Sequence, residues 1–356
     1  MKFRAYLIVL SALALAATSE ATLARAKENA TAPLPQHLRD TGLFVAGSTS
    51  VRPEILLFSP QYPLWSDGAT KRRWLSLPAG AFIDAARPDA WEFPRGTRLW
   101  KEFAYGTRKV ETRFLERVAD GSWRFAVYVW NDAGTDAVLA PASGIAAIPV
   151  AEAPGGRYPI PAESDCRACH EGAAVPVLGA SALQLSPDRD PLAPHADAQQ
   201  ASGADLRGLV ARGWLRNLPA KLLADPPRII ASSPTERAAL GYLHANCGHC
   251  HNDGGSPAPV GLVVAQDAAT GAASTARVLQ SMLGASSRFR PTGTQATAQL
   301  VAPGRADSSV LALRMRSRNP YTQMPPVGTQ VADAEGLALI ERWINHDLQI
   351  RKESKP

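Results

Sequence analysis

The sequence predicts an α+β chain of several domains: a β-rich N-terminal domain, residues 27–160, followed by a mainly α-helical region. Three observations carry this expectation. Six of the eight tryptophans fall between residues 62 and 139, within strand-like patterns. Capped helical patterns open at Ser233 and Asp333. Two hexapeptides, Asp165-Cys166-Arg167-Ala168-Cys169-His170 and Asn246-Cys247-Gly248-His249-Cys250-His251, repeat Cys-x-x-Cys-His 81 positions apart and use all four cysteines.

The first element is an export signal. Lys2 and Arg4 precede an apolar run of 13 residues, Ala5 to Ala17, and Ala24-Arg25-Ala26 offers a small-x-small cleavage site. A bilayer span needs about 20 apolar residues, so this run reads as a cleavable signal peptide, residues 1–26. The expected location is the periplasm. No later segment is long and apolar enough to span. The signal carries a net +2 (Lys2, Arg4 and Arg25 against Glu20), so the formal +6 of the whole chain becomes +4 after cleavage. That excess is mild and has no basic block, which argues against nucleic acid as a partner.

Residues 27–53 are polar and proline-bearing, a lead-in. Strands follow the turn Ser66-Asp67-Gly68, at Trp74-Leu75 and again from Arg98 to Tyr105. Val110–Val118 and Trp123–Trp130 flank Ala119-Asp120-Gly121-Ser122, a hairpin pattern. Trp123, Phe125, Val127 and Val129 share one face by period-two alternation. The aromatic residues therefore read as a β core rather than as a sugar-binding face. Ala151 to Pro161 has the composition of a linker.

Residues 161–232 read as a separate segment that carries the first hexapeptide and is mostly loop, with Pro187, Pro191 and Pro194 and a short helix over Ala204–Arg212. It is too short to bury a core alone, so its cofactor is expected to sit against a neighbouring domain. Residues 233–356 open with Ser233-Pro234-Thr235-Glu236, a capping box with proline at the first helical position. That helix runs into the second hexapeptide. Asp333 caps a last helix in which Leu337, Ile340, Ile344 and Leu348 recur at helical spacing beside Trp343.

Cys-x-x-Cys-His is the attachment pattern of c-type haem. Two thiols at a helix end each add to one vinyl group, and the adjoining histidine becomes the proximal iron ligand. Three other readings compete with it. A thioredoxin-like pair needs no following histidine. A zinc site built from two Cys-x-x-Cys pairs separates them by about 15–20 residues, whereas 77 residues lie between Cys169 and Cys247. Disulfides, common in exported proteins, leave His170 and His251 unexplained. The chemistry expected is two covalent haems c, held at Cys166 and Cys169 with His170, and at Cys247 and Cys250 with His251.

A sixth ligand for the second iron is expected from Met324, 73 residues beyond His251 in Asn319-Pro320-Tyr321-Thr322-Gln323-Met324-Pro325-Pro326. Its thioether is a soft donor that raises the reduction potential. Met315 and Met282 are the weaker candidates. For the first iron no methionine lies between the hexapeptides, and His195 is the local donor taken. His37, His244, a methionine from the other domain or an open position are its alternatives. His249 is expected to face solvent.

Residues 233–350 resemble a class I cytochrome c domain, through the helix with Tyr242, the Cys-Gly-His-Cys-His turn, the Met-Pro-Pro loop and the last helix with Trp343. Pro303-Gly304 followed by Ser309-Val310-Leu311 is similar to a stretch of many bacterial cytochrome c domains. More widely, PLWSDGATKRRWLSLPAG, WEFPRGTRLWKEF, YPIPAESDCRACH and NPYTQMPP resemble an exported dihaem c-type cytochrome family of unassigned role. The resemblance implies a cytochrome c-like C-terminal domain, haem binding and electron transfer. The expected function is a periplasmic dihaem cytochrome c that passes single electrons between redox partner proteins. The alternative is a peroxidase- or oxidase-like dihaem enzyme with one open iron.

Overall fold

The computed structural model describes residues 33–197, 204–254, 260–290 and 298–353, so the signal segment 1–26 lies outside the described residues. Strands β1 (Leu56–Phe58), β2 (Thr70–Ser76), β3 (Ile83–Asp84), β4 (Arg98–Tyr105), β5 (Arg108–Arg117), β6 (Trp123–Trp130) and β7 (Ala137–Leu139) come first. All but β3 form one antiparallel sheet of six strands in the order β1-β2-β4-β5-β6-β7. The β5–β6 hairpin turns where expected. Gly121 takes φ +94°, a conformation that strains any residue with a Cβ, and Asp120 accepts from Ser122 N.

Period-two alternation gives the sheet two different faces. On one, Trp74, Trp100, Phe114 and Ala126 stand in a cross-strand row, covered by Leu38, Leu43 and Phe44 from the lead-in. On the other, Leu75, Leu99, Leu115 and Phe125 form the neighbouring row. Four tryptophans (Trp74, Trp91, Trp100 and Trp130) are at most 3% exposed, which makes them core rather than a binding face. Residues expected as a linker instead supply β9 (Arg157–Ile160), which pairs with β8 (Ile145–Pro149).

The second face is covered by the chain beyond β9. Helix α1 (Glu163–His170) carries the first hexapeptide. After it come α2 (Leu206–Ala211), capped by Asp205, then β10 (Leu215–Arg216), paired in parallel with β3, and α3 (Lys221–Ala224). Val177, Leu185, Leu206, Leu209 and Leu215 pack into the core cluster of the sheet. The segment 161–232 thus shares its core with the sheet.

The expectation of a mainly α-helical, cytochrome c-like region is corrected by the structure. The dominant element is the six-stranded sheet, and helix makes up only about 26% of the described residues, in scattered pieces. In the C-terminal part α4 (Pro234–Cys247) has 14 residues. It is followed by α5 (Ala272–Met282), α6 (Val310–Arg316), α7 (Ala334–Arg342) and α8 (Leu348–Glu353), with a wide π-type turn at Trp343–Asp347. Residues 260–271 and 317–333 are irregular. The physical reason lies between the periodic stretches. Pro303, Pro320, Pro325 and Pro326 offer no backbone N–H, and Gly304 and Gly328 take φ +77° and +84°, so helix cannot propagate there. Apolar periodicity located α4 and α7 but carried no information about the lengths separating them.

One stretch of the β-rich part, Pro60 to Gly68, clamps the C-terminal part. Tyr62 lies on α4 at Gly241, where a Cβ would overlap its ring, and its hydroxyl donates to Asp190 at 3.0 Å. Trp65 N donates to Asn246 Oδ1 at 2.7 Å, just ahead of Cys247. The Asp67 carboxylate accepts from Gln330 N and Val331 N at 2.9 and 3.0 Å, anchoring the loop that follows Met324. Replacing Asp67 by alanine leaves both amides without that acceptor. The expected loss is about 1–3 kcal/mol of unfolding free energy, read from urea denaturation. Asp67→Asn, which keeps one acceptor oxygen, should lose less; equal losses would contradict this role.

Candidate functional site

Both hexapeptides stand at helix C-termini. Cys166, Cys169 and His170 occupy the end of α1, and Cys247 ends α4, with Cys250 and His251 in the turn beyond. Helix α4 starts cleanly: Ser233 Oγ accepts from Glu236 N at 2.9 Å, while Glu236 reaches back to Ser232 N rather than to Ser233. Gly248, next after α4, keeps helical backbone angles, and its N–H still donates to the Leu243 and His244 carbonyls. A Cβ there would press on the His244 carbonyl, so the motif turn is tight for reasons of space.

The two turns line a single cavity of about 580 Å³. All four cysteines, His170 and His251 face it, as does each methionine among the described residues: Met282, Met315 and Met324. The turns also touch. Asn252, next after His251, donates through Nδ2 to Gly172 O at 2.9 Å, just past the first hexapeptide, and to Gly248 O at 3.0 Å and His249 O at 3.2 Å within the second. One amide spans two segments 80 residues apart.

The electrostatics favour neutral groups. None of the four cysteines is joined in a disulfide. Burial pushes Cys247 up to about 12, with Cys250 adding to it, and burial likewise raises Cys166, Cys169 and Cys250. Redox-active and zinc-binding cysteines need the opposite shift, toward thiolate. Among the described residues no group of three or more His, Cys, Asp or Glu is placed to hold a metal ion.

His170 lies 5.4 Å from the Phe125 ring, and its Nδ1 is 2.5 Å from the Pro176 carbonyl. A carbonyl only accepts, so Nδ1 carries the proton and Nε2 keeps its lone pair. Burial lowers His170 to about 4 and also lowers His251, so both rings are neutral. His251 Nδ1 is buried without a partner among the described residues. A c-type haem asks for two thiols, a neutral imidazole beside them, an apolar enclosure and a soft donor within reach. The residues present fit that group at both hexapeptides.

His195 is placed elsewhere. Its Nε2 sits 2.9 Å from both carboxylate oxygens of Asp333 and its Nδ1 lies 3.4 Å from Glu335. The ring stacks on Trp65 at 4.8 Å, outside the cavity lining. A nitrogen that donates to a carboxylate has no lone pair to offer iron, so the structure does not bring His195 to the site as a ligand. His37 pairs with Asp136, and His244 Nδ1 accepts from Gln266 N; neither lines the cavity. His249 is the reverse case. Expected at the surface, it is 8% exposed and lines the cavity, a correction that follows from the second turn facing inward onto the first.

The sheet contributes a wall that sequence reasoning passed over. Arg73, Lys101 and Arg113 line the same cavity from β2, β4 and β5. Period-two alternation already placed them on one face; their cross-strand register was not legible. Comparison of the chain with family models, with curated proteins and with solved structures finds no match.

Asn252 gives the test of this arrangement. Asn252→Ala removes the amide that joins the turns and is expected to lower stability by about 1–3 kcal/mol. Asn252→Asp, closest in shape, puts a carboxylate against three carbonyl oxygens and should be worse than alanine in thermal denaturation. An aspartate variant as stable as wild type would contradict the bridge.

Proposed function

We propose that this chain is an exported dihaem c-type cytochrome, working in the periplasm, that passes single electrons between partner redox proteins through two haems held in one cavity. The observation that carries the reading is the convergence of two Cys-x-x-Cys-His turns, from distant parts of the chain, on a shared apolar cavity and on one bridging asparagine. A duplicated motif with separate surroundings would suit two independent carriers. A shared cavity suits transfer within the molecule.

In this reading Cys166 and Cys169 anchor one haem and Cys247 and Cys250 the other, with His170 and His251 as proximal ligands. Each haem supplies the one-electron couple. The residues do the rest. The Pro176 carbonyl orients the His170 ring and fixes its tautomer. Burial keeps both imidazoles neutral, and the apolar lining excludes water, which lowers the reorganisation that accompanies a change of charge. Met324 is positioned through its backbone N–H, which donates to Arg314 O at 3.0 Å, and by the anchored loop beyond it. Among the described residues no helix is long and apolar enough to cross a membrane.

A second reading, a dihaem enzyme with one open iron, draws on one observation. His195, the donor expected for the first iron, is occupied by Asp333 and is not itself among the cavity-lining residues. His249, Met282, Met315 and Met324 are the donors that face the cavity from the protein side. Two low-spin ferric haems in the oxidised protein favour the carrier; one high-spin haem that reacts rapidly with peroxide favours the enzyme.

Two measurements test the primary reading. Protein made with cytochrome c maturation machinery should carry two haem masses that survive acid–acetone extraction, and Cys247→Ala with Cys250→Ala should leave one. A wild type without covalent haem would refute it. Met324→Ala should abolish the weak far-red band of sulfur-ligated ferric haem and lower one midpoint potential. Loss of that band in Met315→Ala or Met282→Ala instead would assign the ligand to that methionine.

A further inference from the structure

Three cations stand side by side on the cavity face of the sheet. Arg73 on β2 is directly opposite Lys101 on β4, and Lys101 is directly opposite Arg113 on β5. Cross-strand neighbours of this kind have Cβ atoms about 5 Å apart, and like charges placed so repel. Arg73 is buried, at 6% exposure, and Lys101 and Arg113 are half-buried. A guanidinium is never deprotonated at ordinary pH and is strongly disfavoured in an apolar interior without a counter-charge.

Of the acids nearby only Glu111 forms an ion pair with the row, while the charge of Asp197 acts on Arg73 without an ion pair. Glu111 is committed to Arg113, at 2.8 Å from its Nε and 2.7 Å from Nη2, and it accepts from the Tyr158 hydroxyl at 2.9 Å. Asp165 accepts from Ala162 N, and Asp197 from Ser59 Oγ. Among the described residues Arg73 and Lys101 have no hydrogen-bonded or ion-pair partner, and Lys101 has only the Phe103 ring, 4.7 Å from Nζ. Burial lowers Lys101 well below the ordinary range of an amine, and Arg73 and Arg113 depress it further. All three side chains line the cavity. Only Arg113 is paired with an acid; Arg73 and Lys101 face the cavity with none in hydrogen-bonding contact among the described residues.

Position selects the ligand. The next row of the same face is Leu75, Leu99, Leu115 and Phe125, and Phe125 contacts α1: the His170 ring lies 5.4 Å away and the Arg167 guanidinium 5.4 Å above. Cys166 belongs to this sheet's core cluster. The cationic row is therefore adjacent to the first hexapeptide.

We propose that Arg73, Lys101 and Arg113 form a carboxylate-binding row for the two propionate groups of the haem anchored at Cys166 and Cys169. This rests on the dihaem reading. The row would neutralise the propionates of that haem, while Cys166 and Cys169 would hold it through thioethers. No bond forms or breaks at the row. Its effect is electrostatic: fixed positive charge near a haem favours the reduced state, and propionates held as anions restore charge balance to the wall.

The test uses the holoprotein and the variants Arg73→Met, Arg73→Lys and Lys101→Met, each followed by haem mass and by potentiometric titration. Arg73→Met is expected to keep two haem masses and to shift one midpoint to lower potential. The shifted midpoint should be the one missing when Cys166 and Cys169 are replaced by alanine. Arg73→Lys, which keeps the charge, should restore most of the wild-type value. If Arg73→Met does not accumulate, Lys101→Met carries the same expectation. Two haems with both midpoints unmoved in Arg73→Met and Lys101→Met would overturn the carboxylate row and leave the dihaem reading intact. A wild-type midpoint that moves on adding inorganic phosphate, and stops responding in Arg73→Met, would assign the row to a free anion and overturn it equally. Fewer than two haem masses in wild type would remove the dihaem reading itself.

Discussion

The amide of Asn252 joins the turn after one Cys-x-x-Cys-His motif to the turn of the other, and the rest of the molecule is arranged so that this junction can exist. The first turn must reach it from a short helix lying on a β-sheet. The second must reach it from the end of α4, which packs in a separate apolar cluster with Val278, Leu339 and Trp343. The stretch from Pro60 to Gly68 is the physical link between these supports. It leaves the sheet, inserts Tyr62 into the second cluster, and ends with Trp65 and Asp67 bonded on either side of the cavity. Gly241 permits that insertion because no Cβ stands in the way of the Tyr62 ring.

The cavity so formed is asymmetric. One side is sheet, with three cations in a row. The other is the C-terminal part, which supplies Met282 at the end of α5, Arg314 and Met315 on α6, and Arg318 and Met324 on the irregular chain beyond. Such a difference in charge and donor type is the usual protein lever for separating two reduction potentials, by local field and by axial donor. In the proposed dihaem reading, the sheet governs the first haem and the methionine loop the second. The direction of electron flow would follow from that difference.

Much of the site was legible in the sequence and much of its assembly was not. The four cysteines and two histidines stood out by spacing alone, and the structure brings all six to one cavity. The strands of the sheet, the β5–β6 hairpin, the caps at Ser233 and Asp333, and the short helix near Asp205 also rest on local patterns. What failed was non-local. The expected mainly helical second half dissolved into short helices, since prolines and positive-φ glycines between the periodic stretches stop propagation. His195 looked like a ligand because it was the histidine at hand, but Asp333, 138 positions away, claims its ring. His249 looked exposed because motif interiors often are, and only the facing turn buries it. The cation row consists of ordinary strand residues until register sets them opposite one another.

Two motifs that share one cavity should hold haems that interact. Low-temperature electron paramagnetic resonance of the oxidised protein tests this most directly, when set against two variants that each lack one pair of cysteines. The wild-type spectrum is expected to differ from the sum of the two single-haem spectra, with lines broadened or displaced by magnetic interaction between neighbouring irons. A wild-type spectrum that equals the sum would place the haems apart and contradict a shared cavity.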